Sequence, residues 1–418
     1  MELKRVVVTG MGGITPIGNS VEEIFKNLTN GTSGSGPITR FNAENCKTRF
    51  ACEVKGFNPE LYMDKKEARK MDLFEQFAVA ATKECLDDSK IDLEAINKDR
   101  IGVIWGTGIG GLGSYEPEIM EFYSNGCGTP KFSPFTIPKL IPNMAAGQIS
   151  IKFGLRGLSY STSSACASSS HAIIDAFNNI RLGKADMIIS GGSEAPINIS
   201  GIGGFNAMKA LSENNDEMET ACRPFDATRD GFVMAEGGVA LLLEELEHAK
   251  KRGATIYAEI VGGGLTSDAY HLTAPHPEGL GTINVMKYAI EEAGIKPADI
   301  DYINVHGTST PIGDVIELAS IQKLFGDDVY NVNISSTKSM TGHMLGAAGA
   351  MEAMASIFAI QTGIIPPTIN FKQLDEKIDK NLNLTLNKAQ KRDVTYVLSN
   401  TFGFGGHNSS IVLKKYSE

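Results

Sequence analysis

Short apolar runs rich in Val and Ile alternate with segments of helical periodicity along most of the chain. Eight of these runs predict strands, at residues 6–13, 101–108, 187–192, 239–243, 258–262, 303–307, 332–336 and 397–401. Runs that are apolar at consecutive positions are typical of strands buried on both faces, as in a sheet covered by helices. The pattern therefore predicts an α/β fold, with ligand sites at the carboxyl ends of the strands, where glycines and polar residues follow.

The two halves of the chain share a pattern that indicates an internal duplication. Each half opens with a strand followed by glycines, at residues 6–13 and 260–264. Each half also contains a Ser/Thr-rich junction followed by an Ala-rich helix, at residues 159–182 and 334–363. The charged segment 248–255 is the expected connector between the halves. The predicted domains are residues 1–254 and residues 255–418.

Composition narrows the classes of function. The 418 residues are 42% hydrophobic and 21% charged, which suits a large core in two or three folding units. Lys and Arg number 39 against 49 Asp and Glu, so the net charge is −10. This charge argues against general affinity for nucleic acid or anionic membranes, although a local basic patch can still bind an acidic partner. Since no signal peptide or long apolar stretch is apparent, we expect a cytoplasmic protein without membrane insertion.

One cysteine has unusual surroundings. The chain has six cysteines and no CxxC pair, which indicates reduced, mostly inert thiols. Cys166, within SACASSSHA, falls where a strand ends and a helical pattern begins. The dipole and unpaired N–H groups of a helix N-terminus would lower the thiol pKa and could hold an oxyanion. A nucleophile and a small buried structural thiol are both compatible with this local context.

Two histidines follow predicted strands beside glycines. His306 lies in VHGTSTPIGD and His343 in TGHMLGAAGA. A lone histidine is more often structural, but two at the ends of separate strands favour a shared site. The sequence contains no HExxH or CxxC motif and no clustered carboxylates, so no metal site is predicted. It also lacks a P-loop and a helix-opening GxGxxG, which disfavours nucleotide binding.

The segment FGFGGH at residues 402–407 follows the last predicted strand. Its glycines alternate with two phenylalanines. Two interpretations remain open at this point: a structural β-turn, or a mobile loop whose phenylalanines gate an apolar channel.

Together, these motifs resemble those of a known family. In chain order they are SACASSSHA, RPFDATRDGFV at 223–233, SDAYHLTAPHPEG at 267–279, VHGTSTPIGD, SSTKSMTGHMLGAAGA at 335–350 and FGFGG. The chain resembles the elongating β-ketoacyl-acyl carrier protein synthases of the thiolase superfamily and is most similar to their synthase II group. The resemblance covers essentially the whole chain. It implies a thiolase-like fold, with two similar βαβαβαββ halves packed as a five-layer α-β-α-β-α sandwich.

The resemblance also implies an acyltransferase activity with a Cys-His-His site. Cys166 would hold an acyl chain as a thioester, while His306 and His343 would hydrogen-bond the thioester carbonyl of malonyl-acyl carrier protein. Decarboxylative Claisen condensation would then give β-ketoacyl-acyl carrier protein, carbon dioxide and free carrier in fatty acid elongation. No cofactor is expected, because the substrates travel on the phosphopantetheine arm of the carrier. Backbone N–H groups of Cys166 and Phe404 would form the oxyanion hole.

Further roles follow from the resemblance residue by residue. The active-site support would consist of Lys338, Glu352 and Glu317. The gate would consist of Phe404 and Phe402, and Ile109 would limit the length of the acyl chain. The basic residues expected to dock the acidic acyl carrier protein are Lys66, Arg69, Lys70, Lys131 and Lys209. A homodimer is expected on the same basis.

Three positions depart from the usual family pattern: Pro130 replaces an arginine of the docking patch, Ala235 a glycine and His407 a threonine. We expect Ala235 and His407 to lie away from the three catalytic residues. The sequence is less compatible with several other activities. A thiolase would need a second cysteine near the C-terminus, whereas no cysteine follows Cys222. A non-catalytic chain-length subunit would lack the nucleophile, and a cysteine hydrolase would not need two histidines. A polyketide or aryl-polyene ketosynthase of the same fold remains the main alternative.

Overall fold

The structure is a computed structural model that describes residues 3–417. Its strands are β1 (Val6–Ile14), β2 (Gly36–Pro37), β3 (Phe50–Ala51), β4 (Ile101–Gly106), β5 (Ser159–Thr162), β6 (Met187–Glu194), β7 (Gly237–Glu245), β8 (Ala258–Ser267), β9 (Tyr302–Asn304), β10 (Asn333–Ser335), β11 (Ile364–Ile365), β12 (Gln390–Lys391), β13 (Tyr396–Gly403) and β14 (His407–Lys414). Its α-helices are α1 (Val21–Asn30), α2 (Lys65–Ala68), α3 (Leu73–Asp88), α4 (Leu112–Ser124), α5 (Thr136–Leu140), α6 (Met144–Phe153), α7 (Ser168–Arg181), α8 (Ile199–Ala207), α9 (Leu246–Lys251), α10 (Leu280–Glu292), α11 (Gly313–Phe325), α12 (Lys338–Thr341) and α13 (Ala348–Thr362).

The main sheet shows the internal duplication directly. Its strand order is β10-β9-β13-β14-β8-β1-β7-β6-β4-β5. If the five strands of each half are numbered along the chain, both halves read 3-2-4-5-1 from the outer edge inwards. Parallel and antiparallel pairings also match between the halves. The halves meet where β1 pairs antiparallel with β8, from Val6 opposite Ile260 to Val8 opposite Ala258.

Helices divide the molecule into layers. α7 and α13 contact strands of both halves and so form the central layer. Helices α3 and α6 cover the outer face of the first half, and α10 and α11 cover that of the second. α13 is buried on all sides from Ala348 to Ile360, which explains its apolar, Ala-rich sequence. The predicted five-layer thiolase-like fold is confirmed. None of the helices within residues 3–417 has the length and apolarity needed to cross a membrane.

The connector between the halves carries the expected charged residues, and its first part is helical. Residues up to Lys251 belong to helix α9, which the Glu245 side chain caps by accepting from the His248 N–H. Leu246 and Ala249 of this helix are buried. The remainder leads into β8, and the sheet continues from β1 to β8 without a break. The domain boundary after residue 254 therefore stays a prediction.

Candidate active site

Cys166 lies in a tight turn between β5 and α7. Ala165 has φ +50°, a left-handed conformation that is uncommon for alanine and strains the backbone. The Ser168 hydroxyl stabilises the turn, because it accepts from the Ser164 N–H at 2.9 Å and donates to the Ala165 carbonyl at 2.7 Å. This turn presents the Cys166 side chain to the cavity beside the start of α7, as the sequence predicts.

The resting thiol does not have the lowered pKa that the sequence suggested. Burial raises the pKa of Cys166 to about 12, although the Lys338 charge and the Phe404 N–H both favour the thiolate. The expectation was wrong because desolvation of the sulfur outweighs these contributions. Cys166 therefore rests as a thiol, and His343 Nε2 lies 3.0 Å from its sulfur.

His306 follows β9, where a carboxylate from another element fixes its backbone. Glu317 of α11 accepts from the His306 N–H and the Gly307 N–H, each at 2.8 Å. Burial raises the pKa of Glu317 to about 7, and these two N–H groups oppose the rise. Glu317 thus contacts the backbone of His306 and not its ring. The charge-assisted hydrogen bonds hold the imidazole in one place relative to β9.

His343 follows the short helix α12 and is tied to the segment before β7. Its N–H donates to the Val233 carbonyl at 2.7 Å, and its carbonyl accepts from the Ala235 N–H at 3.0 Å. The expectation that Ala235 lies away from the catalytic residues was therefore wrong. Sequence reasoning considered only side chains, whereas this contact runs through the backbone.

The structure brings all three predicted catalytic side chains together. The His306 and His343 rings lie 5.3 Å apart at 85°. The pKa of each histidine lies well below 6.5, chiefly because burial disfavours the charged form and secondarily because of the Lys338 charge. Both imidazoles are therefore neutral at neutral pH, so each can donate one N–H to an oxyanion without first losing a proton.

The same three side chains also resemble a ligand set. Their sulfur and nitrogen atoms lie within 4.8 Å of one another, and one thiolate with two imidazoles suits Zn²⁺. Histidines that bind metals normally donate their second N–H to a partner. Within residues 3–417, however, Nδ1 of His306 and Nδ1 of His343 lack such a partner. The contacts that support a resident metal are missing, and the absence of a metal requirement stays a prediction.

A buried ion pair lies behind the two histidines. The Lys338 ammonium donates to Glu352 of α13, and both side chains are almost fully buried. Glu352 also accepts from Thr401 of β13 at 3.2 Å, and the Thr401 hydroxyl lies 3.0 Å from that of Ser170 on α7. This network joins both halves of the molecule under the catalytic centre. Sequence analysis missed Thr401 and Ser170, since isolated hydroxyl residues give no pattern.

The charge of Lys338 leads to a prediction about pH. Because the histidine pKa values lie well below 6.5, lowering the pH from about 8 to about 6 is expected to leave malonyl decarboxylation unimpaired by imidazole protonation. The double variant Lys338→Met/Glu352→Gln removes the cation without leaving an unpaired buried carboxylate. Its histidine pKa values should rise, so the loss of activity in acid should begin at higher pH. Carbon dioxide release measured against pH gives the profile of the wild type and of the double variant. A wild-type rate that falls in acid with a midpoint near pH 6.5 would contradict the low histidine pKa values.

The three candidate catalytic residues line a cavity of about 410 Å³. Phe402 and Phe404 line it together with Cys166, His306 and His343. The Phe402 ring lies 5.8 Å from the His306 ring. A Cβ on Gly403 would lie 2.7 Å from the Ser164 carbonyl, so only glycine lets this segment pass so close to the nucleophile. The placement suits a gate, and that role stays a prediction.

The remaining predicted residues lie farther from the three side chains. Ile109 is partly buried in an apolar cluster with Phe205, Phe232 and Leu345 and does not line the cavity. Lys209 lies at the cavity wall. The other docking candidates are exposed on α2, just after it, or in the loop before α5: Lys66, Arg69, Lys70 and Lys131. Pro130 and His407 are also exposed, and the His407 ring lies 6.4 Å from that of His171.

Comparisons with known proteins agree with this site. The family "Beta-ketoacyl synthase, N-terminal domain" matches residues 3–249, and "Beta-ketoacyl synthase, C-terminal domain" matches residues 257–372. The 3-oxoacyl-[acyl-carrier-protein] synthase 2 of Staphylococcus aureus (strain COL) is 48% identical over 413 residues, which cover 99% of each chain.

Two solved structures extend the comparison. A β-ketoacyl synthase from Burkholderia phymatum STM815 is 36% identical, with a TM-score of 0.92 over 99% of this chain and 100% of that one. The second is a chain from the structure of a type II polyketide acyl carrier protein in complex with its ketosynthase (AntDE:AntF). It is 31% identical, with a TM-score of 0.91 over 99% of this chain and 100% of that one. These matches show that the chain, whose three candidate catalytic residues share one cavity, belongs to the β-ketoacyl synthase family and is an acyltransferase.

Proposed function

We propose that Cys166, His306 and His343 carry out a decarboxylative Claisen condensation that elongates an acyl chain held on Cys166. The observation that carries the proposal is the placement of one thiol and two neutral imidazoles at the end of a single cavity. The thiol supplies a covalent attachment point, and the imidazoles supply two N–H donors.

The first step loads the acyl chain. The Cys166 thiol passes its proton to His343 Nε2 while the sulfur attacks the thioester carbonyl of acyl-carrier protein. The developing oxyanion accepts hydrogen bonds from the N–H groups of Cys166 and Phe404. As the intermediate collapses, the carrier thiolate leaves and takes up one proton. The His343 imidazolium gives up one in turn, because its low pKa disfavours the charged form.

The second step forms the carbon nucleophile. The bond between the malonyl α-carbon and its carboxylate breaks, carbon dioxide leaves, and the electron pair becomes an enolate. The enolate oxygen accepts hydrogen bonds from neutral His306 and from neutral His343. For this step His343 carries its proton on Nε2, because an acylated Cys166 no longer needs that nitrogen as a proton acceptor. Since the histidines stay neutral after burial, these donors are in place before charge develops.

The third step joins the two chains. The enolate carbon attacks the acyl carbonyl on Cys166, the bond between that carbon and the sulfur breaks, and the sulfur takes up one proton. The products are β-ketoacyl-carrier protein, carbon dioxide and the free thiol. Splitting the reaction through a covalent intermediate replaces one difficult condensation by two acyl transfers to and from sulfur.

The proposed partner is acyl carrier protein. A similar ketosynthase binds such a carrier in the AntDE:AntF complex. The exposed lysines and arginine on and near α2 and Lys209 at the cavity wall supply local positive charge on a protein of net charge −10. We also propose a homodimer and a cytoplasmic location, on the basis of family resemblance.

A polyketide ketosynthase is the alternative function. The AntDE ketosynthase shares the fold at 31% identity, whereas the S. aureus synthase 2 shares 48% over almost the whole chain. The higher identity favours fatty acid elongation.

A product assay tests the proposal. The protein is incubated with malonyl-carrier and with acyl-carriers of increasing chain length, and the products are identified by mass. We expect products extended by two carbons, with the same yield when EDTA is present throughout. Polyketide products built from several malonyl units would support the alternative, and loss of activity in EDTA that Zn²⁺ restores would overturn the metal-free mechanism.

A further inference from the structure

Glu194 is a fully buried carboxylate at the carboxyl end of β6 that the mechanism above does not use. It accepts hydrogen bonds from one hydroxyl group and four backbone N–H groups. The donors are Thr107 Oγ1 (2.8 Å), Gly108 N (2.8 Å), Ile109 N (3.1 Å), Gly110 N (3.4 Å) and Gly346 N (3.0 Å). Burial raises the pKa of Glu194, and these donors oppose the rise because they favour the charged form.

The donors belong to both halves of the chain. Residues 107–110 follow β4 in the first half and include Ile109. Gly346 lies in the second half, shortly after His343. A Cβ on Gly108 or on Gly346 would lie 2.8 Å from a Glu194 oxygen, so both positions need glycine for this close approach. The carboxylate thus links the loop that carries Ile109 to the segment that carries a catalytic histidine.

Ile109 does not line the cavity, but its apolar neighbours Phe205, Phe232 and Leu345 do. It packs with Phe205 against an apolar cluster that includes Phe232. The Phe232 ring lies 5.0 Å from the His343 ring, which places this cluster directly beside the catalytic centre. An acyl chain that extended past these lining side chains would meet Ile109, and the stiffness of residues 107–110 would then limit how long a chain fits.

We propose that Glu194 is a positioning residue that sets the chain-length limit by holding Ile109 in place. The inference rests on the proposed function, since the limit matters only if Cys166 carries an acyl chain. A carboxylate is required because both of its oxygens accept hydrogen bonds. A glutamine has one carbonyl oxygen and one NH₂ group, so either the two donors at Oε2 or the three at Oε1 would lose their acceptor.

The test compares Glu194→Gln with wild type on a ladder of acyl-carriers. The length ratio is kcat/KM for the shortest acyl chain that wild type rejects, divided by kcat/KM for a short chain that it accepts. We expect this ratio to rise roughly tenfold in Glu194→Gln, which is about the discrimination that one methylene can give in an apolar pocket. The control is Glu244→Gln, which alters another fully buried carboxylate that binds Thr9 and Arg252. Its length ratio should stay at the wild-type value.

A double-variant cycle shows whether the effect passes through Ile109. In an Ile109→Ala background, Glu194→Gln should produce no further rise in the ratio. An unchanged ratio in Glu194→Gln, or an equal rise in both backgrounds, would overturn the proposal. Should Glu194→Gln fail to fold, Thr107→Val removes a single donor and should still raise the ratio by a smaller factor. An unchanged ratio in that variant would then count against the proposal.

Hydrogen exchange separates this inference from the proposed function. The peptide containing residues 107–110 should exchange faster in Glu194→Gln than in wild type, and at the wild-type rate in Glu244→Gln. A wild-type protein that never forms an acyl-enzyme would contradict the proposed function, whatever the exchange shows. Unchanged exchange in Glu194→Gln would contradict the role of Glu194, whatever the activity.

Discussion

Cys166→Ala is expected to abolish the acyl-enzyme and to lower condensation by roughly 10⁴-fold or more, since loss of a nucleophile removes the covalent route entirely. Decarboxylation of malonyl-carrier should persist, because His306 and His343 still supply both N–H donors. Intact-mass analysis after incubation with acyl-carrier measures the acyl-enzyme, and carbon dioxide release measures decarboxylation. The variant therefore separates the two halves of the reaction in one protein.

Cys85→Ala is the matched control for this experiment. Cys85 is also a fully buried thiol whose pKa burial raises, but it lies on α3 beneath β1 and does not line the cavity. It should keep wild-type acylation. An acyl-sized mass increase that persists in Cys166→Ala, or that disappears in Cys85→Ala, would refute the assignment of the nucleophile.

Much of the fold and of the centre of the site could be predicted from the sequence. The runs predicted at 101–108, 303–307 and 332–336 contain the strands that end at residues 106, 304 and 335, because a strand buried on both faces needs apolar side chains on both. Cys166, His306 and His343 stand out because each lies beside small residues at the end of a strand or the start of a helix. The family resemblance then suggests the role of each residue. The structure shows that the fold brings all three into one cavity.

The sequence could not show properties that depend on the environment of each group. The pKa of Cys166 was expected to be low from its helix alone, but burial of the thiol reverses the direction. The backbone bond from Ala235 to His343 leaves no trace in residue types. Glu194 follows an apolar strand like many surface residues, and only the folded chain shows that two distant segments donate to it.

Burial also unifies the chemistry of the site. It keeps the Cys166 proton on sulfur and a second proton off each resting imidazole, so the centre starts without a net charge on its three reacting groups. The Lys338 charge, which lowers the pKa of both histidines, is paired with Glu352. Charge therefore develops only as each substrate reacts, at positions where N–H donors already lie. Donors that are in place before charge develops lower the activation barrier most in a site from which water is excluded.

The two histidines are expected to differ in their effects on acylation. His343 Nε2 lies 3.0 Å from the Cys166 sulfur and is the base available to the thiol, whereas the structure shows no such hydrogen bond for His306 among the described residues. His306→Ala should therefore acylate within about threefold of wild type. Its decarboxylation and condensation should fall roughly 10²- to 10³-fold, the usual effect of losing one oxyanion donor.

His343→Ala should slow both half-reactions, because it removes the thiol's proton acceptor together with an enolate donor. Single-turnover acylation followed by mass, and carbon dioxide release from malonyl-carrier, measure the two half-reactions separately for each variant. Thermal unfolding of both variants controls for loss of the fold, since each substitution leaves a small buried cavity. Equal losses of acylation and decarboxylation in His306→Ala would contradict the division of roles, and so would normal acylation in His343→Ala.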